Sequence, residues 1–224
     1  MRGLRLSILG AVTLLSVSAW AASSVVIEDW SSQPLGAHGV PAGWEKQQWG
    51  TPTYDFTIVE GGGRKALRLR SKDDGSTIAK DVKGKVNLKE TPILEWTWKV
   101  SVLPKGADSR RKETDDQAAQ IFVGWERFPK LLRSRIIGYV WDTTAPVGTI
   151  VKSEKTGTVT YVVVRSGTAD LGKWLTERRN IRDDFKQIYG EEPDNPAAVS
   201  LAIDSNDTHM SAESFFGPLS FRAP

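Results

Sequence analysis

Between Pro92 and Val102 the chain reads PILEWTWKVSV, and no other stretch restricts its fold so firmly. Leu94, Trp96, Trp98 and Val100 share one face of an extended segment, and Glu95, Thr97 and Lys99 share the other. That period-two alternation is the signature of a strand with one face in a core and one toward solvent. Two Trp residues spaced two apart could form a sugar-stacking platform. Their alignment with Leu94 and Val100 assigns them instead to core packing.

A second extended pair is expected between Thr114 and Trp141. Ala119, Ile121, Val123 and Trp125 alternate with Gln120, Phe122 and Gly124, and a return strand follows the loop Arg127–Ser134. One antiparallel register puts Gln120 near Trp141 and Phe122 near Tyr139, so that Ile121, Val123, Ile136 and Val140 face the core together. The opposite face would then carry Gln120, Phe122, Tyr139 and Trp141, with Asp116 at its edge. Aromatic rings beside amide and carboxylate groups suit a flat polar ligand such as a sugar, so Asp116, Gln120, Tyr139 and Trp141 are the candidate ligand-binding residues.

The other segments extend the same theme. Strands are expected at Val25–Trp30, Trp44–Trp49, Tyr54–Glu60, Lys65–Ser71, Ser76–Val82, Thr158–Ser166, Ala198–Asp204 and Ser214–Phe221. Gly61-Gly62-Gly63 turns one hairpin, in which Leu67 and Leu69 oppose Arg68 and Arg70. Thr158–Ser166 (TVTYVVVRS) is apolar almost throughout, as a strand covered on both faces would be. The loop Lys105–Asp116 is strongly charged and reads as solvated. One short helix is expected in the C-terminal third: Asn180 caps it, Ile181, Phe185, Ile188 and Tyr189 follow helical spacing, Asp183 and Asp184 favour its positive end, and Gly190 stops it. With 20 Gly, nine Trp and few helical runs among 224 residues, the fold class is all-β, an antiparallel jelly-roll-like β-sandwich forming one domain from residue 22 to 224.

Residues 1–21 stand apart from that domain. Arg2 and Arg5 precede the apolar run Leu6–Val17, and Ala19-Trp20-Ala21 has the small-x-small form of a cleavage site. This is a secretory signal peptide, which places the mature protein in the periplasm or outside the cell, and the run is too short to span a bilayer. Two of the 30 basic residues lie in that segment and none of the 27 acidic ones, so the mature chain carries about +1. A nucleic-acid-binding footprint would need a basic patch rather than so small an excess. The sequence has no cysteine and therefore no disulfide.

Common catalytic signatures are missing. His38 and His209 are the only histidines, neither in a metal-binding spacing, and no G-x-S-x-G elbow, P-loop or dinucleotide fingerprint occurs. Glycoside hydrolysis needs only two carboxylates, for which Asp115, Asp116, Asp142 and Asp204 are the acidic candidates. Asp204-Ser205-Asn206-Asp207-Thr208 spaces oxygen atoms as a calcium loop might, making Asp204, Asn206 and Asp207 the candidate metal ligands and calcium the candidate ion. The full EF-hand pattern fails, with His209 at its sixth position and Phe215 at its twelfth, and an Asx-rich turn is the plainer reading. Asn206-Asp207-Thr208 also matches a glycosylation sequon.

Several of these segments recur together in one family. Leu94–Val100, Thr114-Asp115-Asp116 leading into Ala119–Val123, Gly138–Trp141, Arg179-Asn180-Ile181 with Asp184-Phe185, Gly190–Pro193 and Ile203–Thr208 appear in an order that resembles a family of bacterial exported proteins catalogued as domain of unknown function 3047. Near the C-terminus that family tends to place an acid after the Gly of its last strand, where this chain has Pro218 after Gly217. The resemblance implies a jelly-roll-like exported domain and transfers no catalytic residue. The functional expectation is non-catalytic binding of a glycan or another envelope component on one sheet face. The alternatives are a carbohydrate-active enzyme using rim carboxylates and a structural or protein-interaction module.

Overall fold

The computed structural model describes residues 23–224, and the expected signal peptide falls outside them. Thirteen strands are present among the described residues: β1 (Ser24–Glu28), β2 (Glu45–Lys46), β3 (Asp55–Gly61), β4 (Arg64–Lys72), β5 (Gly75–Asp81), β6 (Ile93–Val102), β7 (Ala119–Trp125), β8 (Arg135–Asp142), β9 (Ile150–Lys152), β10 (Val159–Ser166), β11 (Leu175–Asn180), β12 (Ala198–Asp204) and β13 (Ser211–Arg222). A one-turn helix α1 (Lys130–Arg133) and the longer α2 (Ile181–Tyr189) complete the fold, with a 3₁₀ turn at Lys112–Thr114. The strands form two sheets packed as a β-sandwich. A six-stranded sheet runs β11-β6-β13-β4-β3, with β1 also on β13, and a seven-stranded sheet runs β2-β5-β12-β7-β8-β10-β9.

Most expected elements are present, and their local causes are visible. The β3–β4 hairpin turns at Gly62 and Gly63, whose φ angles of 64° and 76° are the paired positive values that a tight hairpin requires. Leu67 and Leu69 are buried on its inner face while Arg70 is exposed. Helix α2 begins where the Asn180 side chain accepts a hydrogen bond from the Asp183 N–H, and it ends at Gly190 with φ of 71°. The expected strand Trp44–Trp49 shrinks to the two residues of β2, while β9, β11 and α1 were not anticipated. The ladders are antiparallel with one exception: β8 and β10 run parallel. Residues 143–158 connect them, long enough for the crossover that a parallel pair needs, and that connection itself supplies β9 to the edge of the sheet.

The core is an aromatic seam between the sheets. Trp96 and Trp98 of β6 lie 5.4 Å apart edge to face, Trp96 meets Tyr139 at 5.5 Å, and Trp98 meets Trp141 at 5.9 Å. All four are at most 1% exposed, which confirms core packing for the Trp pair of β6. A buried charge joins the sheets elsewhere. Glu28 of β1 accepts hydrogen bonds from the Trp44 indole at 3.0 Å and from Lys80 of β5 at 2.7 Å, and Lys80 lies over the Trp44 ring. Burial raises the Glu28 carboxyl, but Lys80, Trp44 and the Trp30 N–H together outweigh it and hold it below its ordinary value.

The β7–β8 register differs from the expected one by a single residue. Gln120 pairs with Val140, Phe122 with Gly138 and Ile121 with Tyr139. Because side chains alternate, that slip exchanges the faces of the whole return strand. Tyr139 and Trp141 point inward with Ile121 and Val123, while Val140 and Ile136 join Phe122 on the outer side in a second apolar cluster with Tyr161 and Val163. Gly138 permits this arrangement, since a Cβ there would lie 2.7 Å from the Phe122 ring.

Trp96→Ala should cost about 3–5 kcal/mol, as emptying a large buried aromatic site does. Thr97→Ala on the opposite face should cost less than about 1 kcal/mol. Denaturant midpoints of the two variants check the assignment of faces.

Candidate functional site

The acidic residues singled out in the sequence gather at one end of the seven-stranded sheet, yet they serve mainly to fasten loops. Asp116 is fully buried and accepts three hydrogen bonds, from the Asp207 N–H at 3.1 Å, the Thr208 N–H at 2.7 Å and the Thr208 hydroxyl at 2.6 Å. It therefore anchors the turn after β12. Asp142, also fully buried, accepts from the backbone N–H groups of Ser109, Thr144 and Ala145. Asp115 accepts from the Gln117 amide at 2.8 Å, the Ser153 hydroxyl at 3.3 Å and the Tyr161 hydroxyl at 3.4 Å. Lys155 closes over this cluster by pairing with Asp207.

The electrostatics follow chiefly from burial. Burial, only partly offset by Gln117 and Lys155, pushes Asp115 up to about 6. Burial and the Asp116 charge push Asp204 up to about 8. The Tyr161 phenol is also raised, chiefly by burial and secondly by Asp115. Burial alone would lower the Lys155 ammonium, but its bond to Asp207 leaves it raised.

Of the expected ligand face, Asp116 and Gln120 are buried beside this cluster, Gln120 donating to the Gln117 carbonyl at 3.4 Å. Tyr139 and Trp141 lie in the core instead, because of the register. The Tyr139 hydroxyl donates to Asp184 at 2.7 Å and the Trp141 indole to the Gly167 carbonyl at 3.1 Å. The four residues thus do not form one surface. The calcium set fares similarly. Asp204 accepts from the Asn206 N–H, Asn206 is exposed, and Asp207 is taken by Lys155. Among the described residues no three acidic, His or Cys side chains gather as a metal ion would require. The ammonium of Lys155 supplies positive charge at this end and occupies the Asp207 carboxylate.

The surface with the chemistry of a binding face lies on the other sheet. A row of side chains crosses the outer side of the six-stranded sheet by strand register: Lys99 beside Phe215, Phe215 beside Arg68, Arg68 beside Thr57, and Thr57 beside His38. Trp174, just before β11, meets Phe215 edge to face at 6.2 Å. The Lys99 ammonium sits 4.0 Å from the Phe215 ring centre and 5.4 Å from that of Trp174. The indole rests on the β3–β4 turn, where only glycine fits: a Cβ at Gly61 would come within 2.8 Å of it, and one at Gly62 within 3.2 Å. Thr97 and Thr176 adjoin this row, their hydroxyls 3.2 Å apart. Trp174, Phe215, Lys99, Arg68 and Thr97 are all half-buried. By contrast, the outer side of the seven-stranded sheet is largely covered: Val140, Val163, Tyr161, Ala202 and Gln120 are all buried there.

Sequence reading saw half of this face. The alternation of β6 put Thr97 and Lys99 opposite the Trp pair, and Arg68 opposite Leu67 and Leu69. Trp174 was out of reach, since it lies in a turn with no periodicity and touches Gly61 across more than a hundred residues of chain.

A family model described as "Protein of unknown function (DUF3047)" matches residues 42–220, and the chain belongs to that family. No curated protein sequence matches it. Among solved structures it is similar to a family 11 carbohydrate-binding module from Clostridium thermocellum in complex with a β-1,3-1,4-mixed-linked tetrasaccharide, with 10% identity, a TM-score of 0.47, and coverage of 90% of this chain and 96% of that one. A family 30 carbohydrate-binding module of a cellulosomal cellulase of Clostridium thermocellum shows 14% identity and a TM-score of 0.47, covering 90% and 98%. A crystal structure of a family 30 carbohydrate-binding module shows 12% identity and a TM-score of 0.49, covering 90% and 88%.

Two outcomes test the acidic cluster. Asp116→Asn should lower stability by about 1–3 kcal/mol, the cost of weakening charge-assisted hydrogen bonds to a buried loop. The second concerns pH. Because Asp204 is raised to about 8, the folded state keeps a proton that an unfolded Asp releases near about 4, so stability should fall as pH rises between those values and level off above. Asp204→Asn, which mimics the protonated acid, should flatten that decline, and thermal unfolding at pH 5 and pH 8 measures it.

Proposed function

We propose that this protein is an exported, non-catalytic glycan-binding domain, and that the glycan lies across the outer face of the six-stranded sheet. The single observation that carries the reading is the Trp174–Phe215 pair, held half-exposed on a glycine turn and flanked by Lys99, Arg68, Thr97 and Thr176. A sugar ring offers C–H bonds on its faces and hydroxyls on its rim. An aromatic floor with a few well-placed donors and acceptors around it answers both. Lys99 and Arg68 donate, and the two threonine hydroxyls donate or accept. The open sheet face accommodates an extended chain.

Export follows from the charged, apolar and small-residue sequence of positions 1–21. The non-catalytic reading rests on the roles of the acids: Asp115, Asp116 and Asp142 are each engaged by several donors from loops they fasten.

A glycan array followed by titration calorimetry on the best neutral hit tests the proposal. Trp174→Ala should weaken binding by about tenfold or more, equivalent to losing about 1.4 kcal/mol of stacking. Thr97→Ala should weaken it less while leaving the unfolding midpoint nearly unchanged. Full binding by Trp174→Ala would remove this face from consideration.

A further inference from the structure

A second surface differs in both place and chemistry. At the open edge of the sandwich, between β9 and α2, lies a hollow of about 670 Å³. Four cations line it, Arg127, Arg133, Arg135 and Lys152, and no acidic residue does. Two of them are held in place. Arg127 donates to one oxygen of Glu191 at 2.7 Å, Arg135 forms an ion pair with the same oxygen at 3.2 Å, and the Arg135 guanidinium lies 4.4 Å from the centre of the Tyr189 ring. One carboxylate thus offsets two guanidinium groups. Arg133 and Lys152 pair with no acid among the described residues, so the hollow keeps an excess of about three positive charges. Fixed guanidinium groups with donors to spare are suited to carboxylate or phosphate oxygens, which they bind through paired N–H bonds.

The rest of the lining limits what carries the anion. Ser134, Thr158, Thr160 and Gln187 offer hydroxyl and amide groups, while Ile150 and Ile188 form apolar wall. Hydroxyl and amide partners can exchange hydrogen bonds with a polyhydroxylated ligand, and the volume falls within the range of small-ligand sites. We infer that this hollow binds an acidic saccharide, a sugar unit bearing a carboxylate or phosphate, at a site separate from the aromatic sheet face.

Calorimetry of the mature protein with trigalacturonate and, separately, with glucose 6-phosphate tests the inference, with maltotriose and inorganic phosphate as the matched controls. At least one acidic sugar should bind, and more tightly than its control. Its affinity should fall by about tenfold or more in the Arg133→Ala/Lys152→Ala double variant, which removes exposed side chains without acidic partners. It should fall with added salt and persist in Trp174→Ala. Binding of neither acidic sugar would overturn the inference. So would affinity unchanged in the double variant, affinity lost in Trp174→Ala, or inorganic phosphate binding as tightly as glucose 6-phosphate when trigalacturonate does not bind. Persistence in Trp174→Ala separates this site from the aromatic face, so either reading can fail alone.

Discussion

The structure depends on the aromatic contact between its two sheets. Trp96 and Trp98 project from one sheet onto Tyr139 and Trp141 of the other, so the seam sets both the spacing of the layers and the register of β8. With no disulfide available, burial of such rings must supply the stability that holds the layers together. One polar attachment of the seam reaches the helix. Tyr139 donates to Asp184 at the start of α2, and Arg179 donates to the same carboxylate, its Nε at 2.9 Å. The phenol, raised by burial and then by the Asp184 charge, stays protonated and remains a donor. The helix is thereby pinned to the core rather than merely resting on it.

The fold then divides its two outer surfaces between different tasks. On the seven-stranded sheet, the long connection between β8 and β10 returns as β9 and, with the turn after β12, covers much of the outer side. Acidic groups there are used up in holding those loops, and burial raises Asp115 and Asp204, the latter also through the Asp116 charge. On the six-stranded sheet the β3–β4 hairpin is short, and the polar side of β6, β13 and β4 stays partly accessible. Trp174, Phe215 and Lys99 are half-buried on that side, the indole resting on the β3–β4 turn. At the edge of the sandwich Arg165 joins the sheets by donating to Glu177 of β11 at 2.6 Å, while Arg127 and Arg135, paired with Glu191, line a separate hollow.

Much of this was legible in the residues themselves. Period-two alternation located β4, β6 and β7, an Asn cap with an acidic first turn and a glycine stop bounded α2, and a glycine triplet placed a hairpin turn. Those signals are local, and local hydrogen bonding and one-sided burial are enough to enforce them. The β7–β8 register was not local. Either pairing buries a plausible set of apolar groups, because Ile136 and Val140 are as apolar as Tyr139 and Trp141 are aromatic. Only the presence of Trp96 and Trp98 on the facing sheet selects the pair with larger rings.

Sequence alone therefore determined the all-β sandwich, the faces of β4, β6 and β7 and the site of helix α2, since each follows from neighbours a few residues away. Tertiary structure alone decided what the polar residues do. Asp116, which read as a ligand group, became a loop anchor once the N–H groups of Asp207 and Thr208 met it from about ninety residues away. Trp174, silent in the sequence, became part of a surface because a glycine turn from a distant hairpin leaves room for its ring. A side chain's role depends on which groups surround it, and in a sandwich those groups come from strands far apart in the chain.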